Sequence, residues 1–499
     1  TTFEIKKKIV LKIVASQGIT LAYSEKSKPT EVVETKKEDE INVDKKASTS
    51  TGWIAGLAGL GLAGGGGGGG SSSSSSTFLD ESTSFNENTT LTATWAARQE
   101  YKNVSQYLSS STINPYTLVG IDHAYGRGLS GSGKTIAIVD SGFRTNHIEI
   151  SGKITSYNSA SVNQHGTHVS SIAAGSYNNN SSTFVSDNSS DDWSSRDSGS
   201  YPLLNYGTMG VAYNADLHLT DYDINLTTMG LATTSAKNAG AIVQNNSWGW
   251  GTCQSGNCAQ TIDVWVNYQN NNGTTDAQTL DVLTDTEAGW TAYLSALDDF
   301  QSSGVVVVSA GNDSSSTEVN VQAGLPEIAT ELKEAWLVVG NIDTSGSTIS
   351  SSSVTRQGNQ CGIVAEYCIQ ADGTNITAAD DDSNGDYQVL SGTSMAAPIV
   401  SGAVALLSEA FPNHTPAQLV DRILASANNT YFTTTGTTSF ANGVAHGYNV
   451  EFGHGILDLE KALKPITSSM VSNSILLNNG NSGNVSNAQR FNLENTQVK

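Results

Sequence analysis

Residues 135–142 read TIAIVDSG, an uninterrupted apolar run that ends in an acidic residue and a glycine. Five consecutive apolar or β-branched residues predict a strand buried on both faces, as in a parallel sheet covered by helices. Asp140 follows this strand directly. Because active sites of open parallel sheets lie beyond the carboxyl ends of the strands, Asp140 is a candidate catalytic residue.

Similar patterns recur along the chain and predict an α/β fold. The runs at 241–243 (AIV) and 305–308 (VVVV) predict two further buried strands. Apolar residues at helical spacing predict a helix that begins near Ser394. A capping threonine, a proline and a glutamine at 415–418 predict another that begins at Pro416. We therefore expect a mostly parallel sheet with helices on both faces.

Composition divides the chain into three zones. Residues 1–90 form a charged leader that ends in seven glycines and six serines at 64–76, typical of a flexible tether. Three lysines at 6–8 precede a moderately apolar segment, which is either a signal-like sequence or a basic amphipathic tail. Residues 95–465 form the patterned body, in which the polar inserts 177–201 and 251–285 are predicted surface loops. Residues 466–499 are rich in Asn and Ser and predict a flexible tail.

Charge and hydropathy exclude two classes of partner. The 499 residues carry 25 basic and 47 acidic side chains, a net charge of -22, so no nucleic acid is expected to bind. No segment has the roughly 18 to 20 uninterrupted apolar residues of a spanning helix, so no membrane span is expected.

One motif match is rejected on its context. Residues 128–135 (GLSGSGKT) fit the phosphate-binding pattern GxxxxGK[ST]. That loop binds phosphate because it opens a helix whose N-terminal amides face the ligand. Here the match leads into the strand at 135, which predicts a turn instead of a nucleotide site.

Three further polar residues lie where the sheet would present them beside Asp140. His165 begins the segment HGTHV and an expected helix, and Ser394 lies in SGTSMAAP (391–398) at the start of another. A helix N-terminus stabilises developing negative charge. Asn312 ends SAGN (309–312), directly after the four-valine strand. Four groups able to act as acid, base, nucleophile and hydrogen-bond donor are thus expected at one edge.

The segments VDSG, HGTHV, SAGN and GTSMAAP, in this order, resemble the subtilisin-like serine proteases across residues 95–465, most of all the autotransporter-type subtilases of bacteria. The resemblance implies a secreted or cell-surface serine endopeptidase that acts on protein or peptide substrates and needs no cofactor for catalysis. It implies a triad of Asp140, His165 and Ser394 and an oxyanion hole that includes Asn312. It also implies a substrate-binding edge formed by Ser247, Trp248 and Gly249. The alternative is a catalytically silent adhesin or binding module on the same fold.

The four cysteines form two close pairs, Cys253 with Cys258 and Cys361 with Cys368. This separation favours two local disulfides and an oxidising compartment, with four reduced thiols as the alternative.

No metal ligand set is complete in the sequence. His165 and His168 are three residues apart, but no third ligand accompanies them. An acidic turn resembles the first half of a calcium loop, through Asp380, Asp382, Asn384 and Gly385. Ser391 stands where such a loop needs a bidentate glutamate. A structural calcium ion is therefore unsupported by a full motif, and we expect no catalytic metal.

Overall fold

The structure is a computed structural model. It describes residues 10–15, 78–105, 113–158, 161–177, 183–184, 204–222, 225–253, 261–281 and 287–467. The signal-like segment apart from Val10–Ala15, the glycine and serine tether at 64–76, most of the insert at 177–201 and the tail from 468 lie outside the described residues.

The strands are β1 Val10–Ala15, β2 Thr135–Asp140, β3 Ile154–Asn158, β4 Thr183–Phe184, β5 Leu204–Asn205, β6 Asp216–Asp221, β7 Val243–Asn246, β8 Trp248–Cys253, β9 Val305–Ser309, β10 Trp336–Thr344, β11 Val354–Arg356, β12 Cys368–Asp372, β13 Ile376–Ala379, β14 Tyr387–Leu390, β15 Gly436–Ser439 and β16 Ala445–Tyr448. The helices are α1 Thr89–Ala96, α2 Gln99–Asn103, α3 Pro115–Leu118, α4 Ile121–Gly126, α5 Gln164–Ala174, α6 Leu226–Asn238, α7 Ile262–Asn272, α8 Asp276–Asp281, α9 Glu287–Gln301, α10 Thr393–Ala410, α11 Pro416–Ser426 and α12 Leu459–Ala462.

A central sheet has the strand order β11-β10-β9-β7-β2-β6-β3, with β12 also paired to β10. Its pairs are parallel apart from the short β10–β11 pair. All four valines at 305–308 are fully buried. Because successive side chains of a strand point to opposite faces, both faces of the sheet are covered. Helices α5 and α10 pack together on the sheet, and α6 and α9 form a second packed pair. The expected α/β architecture is confirmed.

Two local predictions differ from the structure in their bounds or content. The strand expected at 241–243 is β7, Val243–Asn246, and continues through three polar residues. Their side chains are buried and hydrogen-bonded, for example Gln244 Nε2 to Thr233 Oγ1 at 3.2 Å, so polarity does not end the strand. The insert at 251–285 is not only loop, because it contains α7 and α8. Helix α7 buries Ile262 and Trp265, and Gly273 ends it with a left-handed φ of 61°.

One helix in the described part of the chain has the length and mean hydropathy of a membrane span. This helix is α10, with a mean hydropathy of 1.3, and 94% of its apolar window is buried inside the fold. It is the core helix of the α/β domain.

The segment that resembles a phosphate loop already holds an anionic group of the same chain. The amides of Ser130 and Gly131 donate to one carboxylate oxygen of Glu409, at 2.8 and 2.7 Å. Gly128, Gly131 and Gly133 all have positive φ. The segment is therefore a glycine turn that leads into β2 and docks on the end of α10.

A buried arginine joins the end of the leader to the body. Arg422 of α11 is fully buried, and its guanidinium lies 3.9 Å from the ring centroid of Phe411. It donates to five backbone carbonyls, those of Phe78, Leu79, Glu81, Ala462 and Lys464, at 2.6 to 3.2 Å. Leu79 is itself fully buried. Residues from 78 onward, which composition assigns to the leader, thus pack against the body.

We expect Arg422→Met to lower the free energy of unfolding by about 3 kcal/mol, because it removes the buried donor that five backbone carbonyls share. Urea denaturation followed by tryptophan fluorescence measures this change. The control is Lys237→Met, which removes a surface ion pair with Asp299, a residue with a 62% exposed side chain, and is expected to cost about 0 to 1 kcal/mol. Equal costs for the two variants would contradict the role assigned to Arg422.

Candidate active site

Asp140 and His165 form a hydrogen-bonded pair at the carboxyl end of β2. Nδ1 of His165 lies 2.7 Å from Oδ1 of Asp140, and both side chains are buried, 5% and 0% exposed. Oδ1 of Asp140 also accepts the amide N–H of Ser141 at 2.7 Å. A carboxylate that accepts a hydrogen bond from Nδ1 keeps the ring proton on that nitrogen and leaves Nε2 as the nitrogen that can accept a proton.

The start of α5 aims the histidine at this carboxylate. Asn163 caps the helix, and its Oδ1 accepts the amide N–H of His165 at 2.9 Å. The hydroxyl of Ser141 lies 2.8 Å from the same Asn163 oxygen and 3.0 Å from Oδ1 of Asp140. The cap and the carboxylate are therefore linked by one hydroxyl, which restrains the ring relative to β2.

Ser394 is the second residue of α10 and is fully buried. Pro398, inside the helix, has no N–H to donate to the carbonyl four residues earlier, which is that of Ser394. The hydroxyl of Ser247 donates to this carbonyl at 2.9 Å and takes the place of the missing helical bond. Because the proline leaves this carbonyl free, Ser247, between β7 and β8, can hydrogen-bond to the N-terminal turn of α10.

The hydroxyl of Ser394 is near the same segment. It donates to the carbonyl of Ser247 at 3.1 Å. Nε2 of His165 is buried and has no hydrogen-bond partner among the described residues. The structure therefore brings Asp140 and His165 into contact, and it shows Ser394 hydrogen-bonded to Ser247 and not to the histidine.

Asn312 lies beside the start of α10 with its amide oxygen occupied. Oδ1 accepts both the backbone N–H and the hydroxyl of Thr393, each at 2.9 Å. Asn312 is exposed, so its Nδ2 group is the part of the side chain left to face solvent or a ligand. Thr393 therefore determines which end of this amide is available.

Ser247 precedes strand β8, and Trp248 and Gly249 are its first two residues; all three are buried. Trp248 is 1% exposed, and its indole N–H donates to the carbonyl of Val139 at 2.9 Å. A Cβ at Gly249 would lie 2.6 Å from the side chain of Asn320, so this position needs glycine. Strand β1 pairs antiparallel with β8, with Ala15 opposite Trp248 and Val10 opposite Cys253. The edge of β8 therefore accepts an extended segment of chain.

The remaining predicted residues lie outside this constellation. His168 is fully buried and its Nε2 bonds the carbonyl of Gln388 at 3.1 Å. Burial lowers its pKa to about 3, so the ring stays neutral and packs as a core residue. Cys361 and Cys368 form a disulfide, whereas the predicted Cys253–Cys258 pair includes Cys258, which lies outside the described residues.

The acidic turn is cross-linked by an arginine. Arg144 donates to Oδ1 of Asn384 at 2.9 Å and to the carbonyl of Asp381 at 2.6 Å. Burial raises the pKa of Asp380 to about 7, and this side chain accepts Gln164 Nε2 at 3.1 Å. In the described ranges no three His, Cys, Asp or Glu side chains are grouped to hold a metal ion. The guanidinium of Arg144 supplies positive charge to this acidic turn.

The residues that hold the side chains of His165 and Asn312 in place carry weaker sequence signals. Asn163 carried a usable signal, since Asn is a preferred N-cap immediately before a helix. Thr393 lies within SGTSMAAP (391–398), but nothing in that pattern marks its contact with Asn312.

A buried Asp–His pair at the carboxyl edge of a parallel sheet is typical of serine hydrolases, in which a serine supplies the nucleophile. The family model described as "Subtilase family" matches residues 131–455, which is more than half of the chain. The protein belongs to the subtilase family.

Curated relatives share the family with modest identity. An extracellular serine protease of Serratia marcescens is 26% identical over 400 residues, 69% of this chain and 33% of its own length. Subtilisin DY of Bacillus licheniformis is 26% identical over 324 residues, 62% of this chain and 90% of its own length. The neisserial autotransporter lipoprotein NalP of Neisseria meningitidis is 29% identical over 165 residues, 32% of this chain and 14% of its own length. The chain thus spans about a third of the first relative and nine tenths of the second.

Among solved structures, fervidolysin from Fervidobacterium pennivorans, a keratinolytic enzyme related to subtilisin, aligns with a TM-score of 0.47 at 21% identity. The alignment covers 71% of this chain and 46% of that one.

Proposed function

We propose that this subtilase is a secreted serine endopeptidase in which Asp140, His165 and Ser394 form the catalytic triad. The observation that carries the proposal is the 2.7 Å contact of a buried carboxylate with His165 Nδ1, combined with a buried Nε2 that has no partner in the described structure. A buried ring nitrogen without a partner is unfavourable unless another group can engage it. The hydroxyl of Ser394 is the group that we assign to it.

The first step is transfer of the Ser394 hydroxyl proton to His165. Rotation of the serine side chain breaks its 3.1 Å bond to the Ser247 carbonyl and directs the hydroxyl to Nε2. As Oγ attacks the peptide carbonyl carbon, Nε2 takes the proton and the carbonyl electrons move to its oxygen. Asp140 stabilises the imidazolium that forms.

The second step breaks the peptide bond. The imidazolium returns its proton to the amine that leaves, and an acyl-enzyme on Ser394 remains. Water then loses a proton to Nε2, attacks the acyl carbon and releases the carboxylic acid, and the proton goes back to Oγ. No cofactor enters either step.

Negative charge on the former carbonyl oxygen needs donors placed in advance. Nδ2 of Asn312 is directed outward because Thr393 occupies Oδ1. The backbone N–H of Ser394 belongs to the first turn of α10, where amides have no intrahelical acceptor. Together they supply two donors beside the nucleophile, and loss of one such donor typically costs about 100- to 1000-fold in rate.

An extended peptide binds along the edge that starts at residues 247–249. Main-chain hydrogen bonds to an exposed edge hold a substrate whatever its side chains are, which suits broad endopeptidase action. The antiparallel pairing of β1 with β8 supports this, because a segment of the same chain uses that edge as an added strand. Protein and peptide substrates follow from this mode of binding.

Secretion to the medium or the bacterial surface is supported by two observations. One relative is an extracellular protease and another is an autotransporter lipoprotein. The Cys361–Cys368 disulfide is suited to an oxidising compartment.

A fluorophosphonate probe tests the proposed function. We expect covalent labelling at Ser394, located by mass spectrometry of the digested protein, since such reagents react with a serine activated by a base. The control is Ser394→Ala, which should remain unlabelled. A folded wild-type protein that resists the probe would favour the alternative, a silent adhesin or binding module on the same fold.

A further inference from the structure

The loop that follows β9 and carries Asn312 is held by an asparagine from a distant part of the chain. Asn359 is 5% exposed. Its side-chain oxygen accepts the N–H of Asp313 at 2.8 Å, across a separation of 46 residues. Its backbone N–H donates to the carbonyl of Gly311 at 3.0 Å. These bonds restrain the two peptide planes on either side of the Asn312 Cα.

The same side chain is anchored on its other side. Nδ2 of Asn359 donates to the carbonyl of Glu318 at 2.8 Å, further along the same loop. The oxygen and the nitrogen of this buried amide are therefore both bonded to the loop at 311–318. An amide in this place can be satisfied in one orientation only, because its two ends face an N–H and a carbonyl.

Glycine 311 allows the close approach that these bonds require. Its φ of +117° is rarely adopted by other residues, and a Cβ there would lie 2.6 Å from Oδ1 of Asn359. The backbone of Asn312 is thus restrained by Asn359, while its Oδ1 is restrained by Thr393. Two independent contacts decide where Nδ2 points.

From these contacts we propose that Asn359 is a positioning residue for the oxyanion donor: it holds the backbone on both sides of Asn312 so that Nδ2 faces the carbonyl oxygen of the substrate. The inference rests on the proposed function. Asn359 acts through Asn312, and its removal displaces the donor without removing it. Because the donor matters most when charge develops, the loss should fall on kcat and leave KM nearly unchanged.

A double-mutant cycle on a peptide substrate tests this role. We expect Asn359→Ala to lower kcat by about 10- to 100-fold, the loss typical of a displacement near 1 Å. Asn312→Leu is expected to lower kcat by about 100- to 1000-fold. In the Asn312→Leu background, Asn359→Ala should change kcat by less than about twofold, because no donor remains to be positioned. If the two losses in kcat multiply in the double variant, the proposal is overturned.

A conservative variant separates positioning from stability. Asn359→Asp keeps the acceptor for the Asp313 N–H but turns a carboxylate oxygen toward the Glu318 carbonyl. Because the bond to Asp313 is kept, its kcat should fall less than that of Asn359→Ala. Where the alanine variant does not fold, the cycle is run with Asn359→Asp, whose loss must likewise vanish beside Asn312→Leu. The matched control is Asn103→Ala, which removes another buried amide, bonded to the carbonyl of Gly207 at 2.6 Å. It should lower the melting temperature and leave kcat unchanged.

The outcomes distinguish the two proposals. Wild-type protein that neither cleaves peptides nor reacts with a fluorophosphonate overturns the proposed function and this role with it. Active wild-type protein whose Asn359→Ala variant folds and keeps its kcat overturns the positioning role alone.

Discussion

Replacement of Ser394 by alanine is expected to reduce kcat by about a million-fold, the loss found when the nucleophile of a subtilisin is removed. Without Oγ no acyl-enzyme forms, and the histidine and the oxyanion donors can only promote direct attack by water. Single-turnover and steady-state assays on a fluorogenic peptide measure the change. KM should stay close to the wild-type value, because the hydroxyl contributes little to ground-state binding.

The control for this substitution lies in the same helix. Ser408→Ala makes the same chemical change about 20 Å along α10 from Ser394, as judged from the rise per residue. It should leave kcat at the wild-type level. A Ser394→Ala protein that retains a tenth of the wild-type rate would show that another residue is the nucleophile.

Asp140→Asn is expected to lower kcat by about 10,000-fold at neutral pH while the fold is kept. Asparagine has the same size as aspartate, but its amide nitrogen can donate to Nδ1 of His165, which then holds no proton. The proton moves to Nε2, where it prevents the ring from accepting one from Ser394. The 2.7 Å contact between residues 140 and 165 makes this tautomer change the dominant effect.

Rates of fluorophosphonate labelling provide an independent measure, because labelling also needs the basic Nε2. They should fall in parallel with kcat in Asp140→Asn. The matched control is Asp421→Asn on α11, an aspartate outside the site whose pKa is raised to about 6 by burial. It should retain wild-type kinetics. Near-normal labelling of Asp140→Asn would contradict the role of Asp140 in selecting the tautomer.

Elements with a strong local signal were predicted well. The apolar run at 135–139 is β2, and the expected helix at Pro416 is α11, with the capping box between Thr415 and Gln418 present. Apolar periodicity and capping residues act over a few neighbouring positions. These elements could be predicted because the residues that determine them are close together in the sequence.

Elements whose stability comes from distant contacts were predicted poorly. Strand β7 continues through Gln244, whose side chain is satisfied by Thr233 of α6. Helices α7 and α8 lie in a stretch rich in Asn, Asp and Thr, where propensity favours loops. Burial of Trp265 and Leu280 outweighs that propensity, and burial is a property of the assembled domain.

The amino-acid order alone determined the α/β class, strands β2 and β9, helices α10 and α11 and the places of Asp140, His165, Asn312 and Ser394, because each of these has a recognisable local pattern. Only the tertiary structure decided how these side chains are held. Asn359 reaches Asp313 across 46 residues, and Arg422 reaches Phe78 across 344. A hydrogen bond between residues so far apart in sequence depends on the path of the whole chain, so it cannot be predicted from periodicity or spacing near either residue.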